Sequence, residues 1–233
     1  MKQRIWELDA FRGFCILWMI FLHTIVKLNT YAGIVFPCYD FLYLINHYGG
    51  AFFVLVSGIC ATLGSRSVRR GLVVLACGLM ITAVTVFLVR TGVNERKSII
   101  QFGVLHLIGI CMLLYPLLKK LPVPVRLMVG ATIVIIGYMI KGIRIENDYL
   151  FILGLKGLHF ASADYFPLMP HLGWFMLGTV IGDTAYADGM TRLPNVRTDR
   201  LSIRILSWFG RYSLPIYLIQ HPLTFFLAKL AAR

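Results

Sequence analysis

Charge is what this sequence has least of. Only 14% of its 233 residues are Asp, Glu, Lys or Arg, and just 10 are acidic. An ordinary soluble domain carries about 25% charged residues. Set against 58% hydrophobic residues, the shortage excludes a disordered chain and argues against a soluble globular enzyme. Familiar catalytic motifs are missing too: there is no HExxH, no GxSxG and no Walker loop. The five cysteines (Cys15, Cys38, Cys60, Cys77, Cys111) form no CxxC, and four lie in apolar runs. They read as small buried hydrophobes rather than a disulfide or zinc framework. No two histidines are spaced i,i+3 or i,i+4, so no metal site is expected. No small-x-small cleavage pattern follows the first apolar run, which therefore reads as a mature helix and not a signal peptide.

What is present is long apolar runs. A membrane-spanning helix needs about 20 predominantly apolar residues, and seven segments qualify. They are about Ala10–Val26, Phe41–Gly64, Gly71–Val89, Ser98–Leu118, Val123–Ile140, Tyr165–Gly182 and Tyr212–Ala228. The second contains no Lys, Arg, Asp or Glu. The fifth includes Arg126 near its start, where it is expected to snorkel. Backbone polar groups must be satisfied within lipid, so these runs are expected to be helices. The alternation of membrane strands is absent. The expectation is an all-α, polytopic membrane helix bundle of about seven transmembrane helices, forming a single domain over 1–233. No internal repeat is evident. Tyr149–Leu155 is too short to cross and is expected to lie in the interface or fold back.

The net charge is +13, from 23 Lys+Arg against 10 Asp+Glu. A nucleic-acid binder needs a wet basic surface; in a membrane protein the excess instead collects in cytoplasmic loops. With the N-terminus on side A, that side holds 14 basic residues and the other side 9. Side A is therefore expected to be cytoplasmic and the C-terminus external, in the cell membrane. The short Arg66–Arg70 turn is the best single element of that bias. The inner stretch Asp183–Arg211 is expected to be a mobile loop followed by a basic surface helix over Leu201–Phe209.

Ionisable groups inside a membrane are costly, so each is a functional-site candidate. None of the six histidines falls in a cytoplasmic loop on this topology. His23 ends the first span and His47 opens the second. His106 and His171 lie in the outer halves of the fourth and sixth spans, His159 in an outer loop, and His221 near mid-membrane. Each alone reads as readily as a helix contact. Their shared outward bias points to a common polar cavity. On the first helix, Asp9 and Arg12 are spaced to pair. Arg12 and His23 are eleven residues apart, about three turns, so they share one face about 16–17 Å apart. On the seventh helix Ser213, Tyr217, His221 and Thr224 make a continuous polar stripe, expected to face the bundle. Gly178 and Gly182 make a GxxxG packing signal.

Four segments resemble one family. "WELDAFRGFCILWMIFLH" (Trp6–His23) is similar to the first-helix motif of heparan-alpha-glucosaminide N-acetyltransferase catalytic-domain proteins. "FFVLVSGI" (Phe52–Ile59) resembles the second-helix motif, and "IQFGVLHLIGICMLLYPL" (Ile100–Leu117) the fourth-helix signature. "FGRYSLPIYLIQHPL" (Phe209–Leu223) resembles the C-terminal helices of small bacterial relatives. The resemblance implies a transmembrane acyltransferase that takes acetyl-CoA on the cytoplasmic side. It implies an acceptor on the other side, a glucosamine amine in the lysosomal relative. It also implies a catalytic histidine in the outer region between the first two spans, aided by an asparagine ending the first helix. His47 is the nearest histidine in that region, and His23 stands at the asparagine position. The chain lacks the family's large extra luminal portion.

The residues suit that chemistry. A thioester acceptor needs a base, and neutral imidazole serves near pH 7, or it carries the acetyl group covalently. CoA phosphates need cations, and Arg12, Arg66, Arg69, Arg70 and Arg211 stand at the expected cytoplasmic mouth. The expectation is therefore an acetyl-CoA-dependent N- or O-acetyltransferase with no metal. His47 and His23 are catalytic, and His106, Tyr217 and His221 line the cavity. Its partners are a CoA thioester, a sugar or glycan acceptor and membrane lipids, with no nucleic acid and with a homo-oligomer left open. The alternatives are a small transporter or flippase, which would show a repeat about the midplane, and a non-catalytic membrane subunit.

Overall fold

Apolar runs bounded by Gly and Pro build the helices. A computed structural model describes residues 5–34, 36, 39–93, 96–158, 160–196, 198–220 and 223. Seven α-helices are bounded within it: α1 (Trp6–Ala32), α2 (Tyr39–Leu63), α3 (Ser67–Arg90), α4 (Val104–Leu118), α5 (Val123–Met139), α6 (Leu168–Ala185) and α7 (Leu201–Arg211). Residues 213–220 are helical as well. α1 stops where Gly33 takes the left-handed conformation, and its amide bonds back to the Asn29 and Leu28 carbonyls. Pro122 and Pro124 open α5, where their missing N–H costs nothing.

The protein is mostly helical. Among the described residues two helices are long and apolar enough to cross a membrane, Trp6–Asn29 and Ser67–Arg90. Gly49–Leu63, Val104–Leu118 and Val123–Met139 are shorter apolar helices. α4 begins six residues later than the apolar run suggests. The run's first part forms a 3-10 turn at Arg96–Ser98 and an extended segment, in which Phe102 bridges to Tyr165. Of the stretch Tyr149–Leu155, residues 149–152 belong to a 3-10 turn, Asp148–Ile152, that lies between two two-residue strands. These are β1 (Arg144–Ile145) and β2 (Lys156–Gly157), paired in parallel.

Two compact units divide the chain. One joins Met1–Val56 to Asp188–Arg233, and the other is Ser57–Ala187. In the first unit α1 packs on α7. A Cβ on Gly210 would run into the Asp9 carbonyl, and one on Gly13 into the Leu206 carbonyl. Only glycine at both positions lets the two backbones cross this closely. Phe11, Phe14, Trp18 and Phe21 run as a chain of ring contacts along α1.

In the second unit α3 packs on α4, and α5 on α6. The GxxxG of α6 meets the end of α2: Gly178 lies against Gly58, and Gly182 against Thr62. α3 leaves Leu72, Leu79 and Phe87 exposed by 55%, 57% and 64%. An apolar face of that size is unfavourable in water and costs nothing in hydrocarbon. The long apolar helices support a membrane location.

Candidate functional site

The first unit gathers a polar face where the two ends of the chain meet. α1 presents Asp9, Arg12 and His23, and the helical segment 213–220 presents Ser213, Tyr217 and Gln220, all three buried. Arg12 Nη2 donates to Ser213 Oγ at 2.9 Å. Asp9 faces Arg211 across the α1–α7 crossing, Oδ2 to Nε at 3.5 Å. The i,i+3 spacing of Asp9 and Arg12 suggested a local pair. Each instead finds a partner on another segment, because the close crossing brings Arg211 and Ser213 to them.

Higher on the same face, His23 Nδ1 lies 3.4 Å from Gln220 Nε2. The order of contacts, Arg12 to Ser213 and His23 to Gln220, means the two helical segments run in the same direction. Ser213 and Tyr217 take their expected inward places. His221 and Thr224 lie outside the described residues. Gln220 was not singled out by the sequence reading, although its spacing of seven from Ser213 puts it on the same helical face.

Glu7 is a second omission. Its Oε2 accepts from Thr191 Oγ1 and its Oε1 from the Arg192 amide, both at 2.7 Å. Arg192 also pairs with Asp188 at 3.1 Å. The start of the stretch expected to be a mobile loop is therefore tied to the first turn of α1. The surface helix that follows it is present as α7, with Ser207 and Gly210 buried. His47 stands on α2, and its side chain lies outside the described residues.

The second unit holds a different imidazole. His106 is 4% exposed, at the start of α4. Its Nδ1 accepts from the Gly103 amide at 3.2 Å, so Nε2 carries the proton of the neutral ring. Nε2 lies 3.2 Å from Thr82 Oγ1, and that hydroxyl donates to the Ile100 carbonyl at 2.6 Å. Both ring nitrogens are thus engaged in a chain that ends on backbone. Buried Asp164 accepts from the Val104 amide at 3.2 Å and completes the cap of α4. Thr82 and Asp164 lie far from His106 in sequence, and no local pattern marks them. His171 differs again: its Nδ1 meets the Pro167 carbonyl at 2.9 Å. A carbonyl only accepts, so the neutral ring keeps a lone pair on Nε2. His159 lies outside the described residues.

The arginines separate into three kinds. Arg126 does not snorkel. It is 2% exposed, with Nη2 on Asp183 Oδ2 at 2.5 Å and Nη1 donating to Thr179 at 3.4 Å. An acid one helix away makes burial cheaper than reaching the headgroups. Arg12 is half-buried beside a neutral hydroxyl, and its buried Nε has no partner among the described residues. Arg66, Arg69 and Arg70 are exposed at the start of α3. Arg12 and the α3 arginines thus retain donor capacity that suits an anion. Among the described residues no group of three His, Cys, Asp or Glu side chains could hold a metal.

Comparison with known proteins yields one family. The model described as heparan-alpha-glucosaminide N-acetyltransferase, catalytic, matches residues 4–222. No curated protein and no solved structure matches the chain.

Proposed function

The chain belongs to the heparan-alpha-glucosaminide N-acetyltransferase catalytic-domain family, and from that premise we propose that it is a multipass membrane acyltransferase. It moves an acetyl group from cytoplasmic acetyl-CoA to a sugar or glycan amine or hydroxyl on the other face. The observation that carries the reading is the family match over nearly the whole chain. α1 to α6 and the segment beginning at residue 213 are its seven spans, the N-terminus is cytoplasmic, and 1–233 acts as one domain.

Arg12 binds a CoA phosphate, with Arg66, Arg69, Arg70 and Arg211 as further cations of the cytoplasmic mouth. Support comes from Arg12 itself, a cation whose partner is a neutral hydroxyl and whose Nε is unmet. His47 removes a proton from the acceptor as its nitrogen or oxygen attacks the thioester carbonyl. The new C–N or C–O bond forms, the C–S bond breaks, and the proton passes from the imidazole to the departing thiolate. His23, oriented by Gln220, positions that exchange or shares the base role. Tyr217 and His221 line the path. His106 forms its wall, since its engaged nitrogens suit it to hold the start of α4.

The test is thioester loss by the purified protein given labelled acetyl-CoA, with and without glucosamine and a panel of sugars. Transfer is expected, and His47→Ala and His23→Ala should each lower it by about 10²–10⁴-fold, the usual contribution of a general base. No thioester loss with any acceptor would overturn the enzyme reading in favour of a transporter or a non-catalytic subunit. Full activity in both variants would overturn the site.

A further inference from the structure

The second unit contains a cavity that acyl transfer leaves unused. Its volume is about 540 Å³, within the range of about 300–1,000 Å³ usual for ligand sites. Thr82, Arg96, Lys97, Gln101 and Phe151 line it, and none of its described lining residues is acidic. Hydrogen bonds fix the walls. Gln101 donates from Nε2 to the Ala161 carbonyl at 3.0 Å and from its amide to Ser162 Oγ at 3.2 Å. Thr82 donates to Ile100, and the Tyr165 hydroxyl to the Phe151 carbonyl at 2.5 Å.

A second observation points to an anion. Beside Phe151, strands β1 and β2 set Arg144 directly opposite Lys156. Like charges facing across a ladder are destabilising. Lys156 is held over the Tyr165 ring at 4.8 Å. Partial burial, and then the nearby Arg144, lower its pKa below the usual lysine value. Lys141 is lowered too, by burial and by Lys156. These cations do not line the cavity; Lys156 reaches it through Tyr165 and Phe151, and together they add positive potential beside it. A guanidinium fork and an ammonium in one cavity match the oxygens of a phosphate. Phe151 and the aliphatic wall leave room for the body that carries it.

We propose that this cavity binds a phosphate-bearing ligand, a soluble phosphate ester or a phospholipid headgroup, through Arg96 and Lys97. One lining residue, Thr82, also contacts His106, and the proposal does not depend on the residues assigned to acetyl transfer.

Two arms test it on the full chain in nanodiscs. In the first, glycerol 1-phosphate is titrated into discs of phosphatidylcholine, with binding read by calorimetry. In the second, retention of phosphatidylglycerol over phosphatidylcholine is read by native mass spectrometry. Binding in the first arm identifies a soluble ester, and in the second a headgroup. Replacing both cations (Arg96→Gln with Lys97→Gln) should weaken binding about thirtyfold, since each surface cation contributes about a factor of five. The charge-keeping pair Arg96→Lys with Lys97→Arg should retain it. Ala161→Trp, which fills the cavity and leaves the charges in place, should abolish it. Lys119→Gln with Lys120→Gln should change nothing. No binding in either arm, or binding that survives both the Gln pair and Ala161→Trp, overturns the proposal.

Discussion

Arg12 and Arg126 stand in the N-terminal halves of two apolar helices, α1 and α5, where a charge is costly in hydrocarbon. The two units handle that cost differently. In the second unit Arg126 is buried with Asp183 against it and Thr179 beside it, so its charge is neutralised inside the protein. In the first unit the nearest acid, Asp9, faces Arg211, and Arg12 is left with the hydroxyl of Ser213. Among the described residues no carboxylate pairs with it. An arginine that keeps its net charge can attract an anion, whereas one already neutralised serves the fold. The same residue type is thereby a binding candidate in one unit and a lock between α5 and α6 in the other.

The hardest blow to that contrast is Arg126→Met. It strands Asp183 without a counter-charge, and it should destabilise the protein by about 3 kcal/mol, the lower end of the range for a broken buried pair because Asp183 stays partly exposed. Thermal unfolding in detergent measures it. The double variant Arg126→Met with Asp183→Leu should recover most of the loss, because two apolar groups leave no buried charge. A single variant as stable as the wild type would show that the pair locks nothing.

The opposite pattern is expected at Arg12. Arg12→Gln should raise the KM for acetyl-CoA about tenfold, the size of one lost charge-assisted hydrogen bond. It should barely move the unfolding temperature, since position 12 is only half-buried and water can take the place of the guanidinium beside Ser213. An unchanged KM would remove Arg12 from the CoA site. A large drop in stability with KM intact would make it another Arg126.

Much of this was legible in the sequence, and the reason is local. Helix existence follows from apolar runs, and Gly33 and the α5 prolines mark ends by backbone chemistry alone. The stripe of Ser213 and Tyr217 was readable because 3.6-residue periodicity is a property of one segment. What failed depends on partners distant in the chain. Arg126 reads as a snorkelling residue until Asp183, 57 positions later, is placed beside it. Glu7 says nothing of Thr191, 184 positions away. The delayed start of α4 is set by Asp164 and the Phe102–Tyr165 bridge, to which hydropathy is blind. Gln220 is a different case: seven positions after Ser213, it shares that residue's helical face and was legible from periodicity alone.

The finest test of the contrast is Ser213→Ala. Ser213 is 3% exposed, and its hydroxyl accepts from Arg12 Nη2. Were the bond mainly structural, its removal would strand a buried donor at a cost of about 1–3 kcal/mol. Arg12 is only half-buried and retains its charge, so water or a bound phosphate can replace the lost acceptor. The expected change in stability is therefore less than about 1 kcal/mol, the net worth of an ordinary hydrogen bond. The KM for acetyl-CoA should move less than about threefold, in either direction, because the guanidinium loses its orientation but not its charge. A loss as large as that of Arg12→Gln would mean that Ser213 aims the guanidinium at its ligand. A stability loss near that of Arg126→Met would place both arginines in one class, and the distinction between the units would fall.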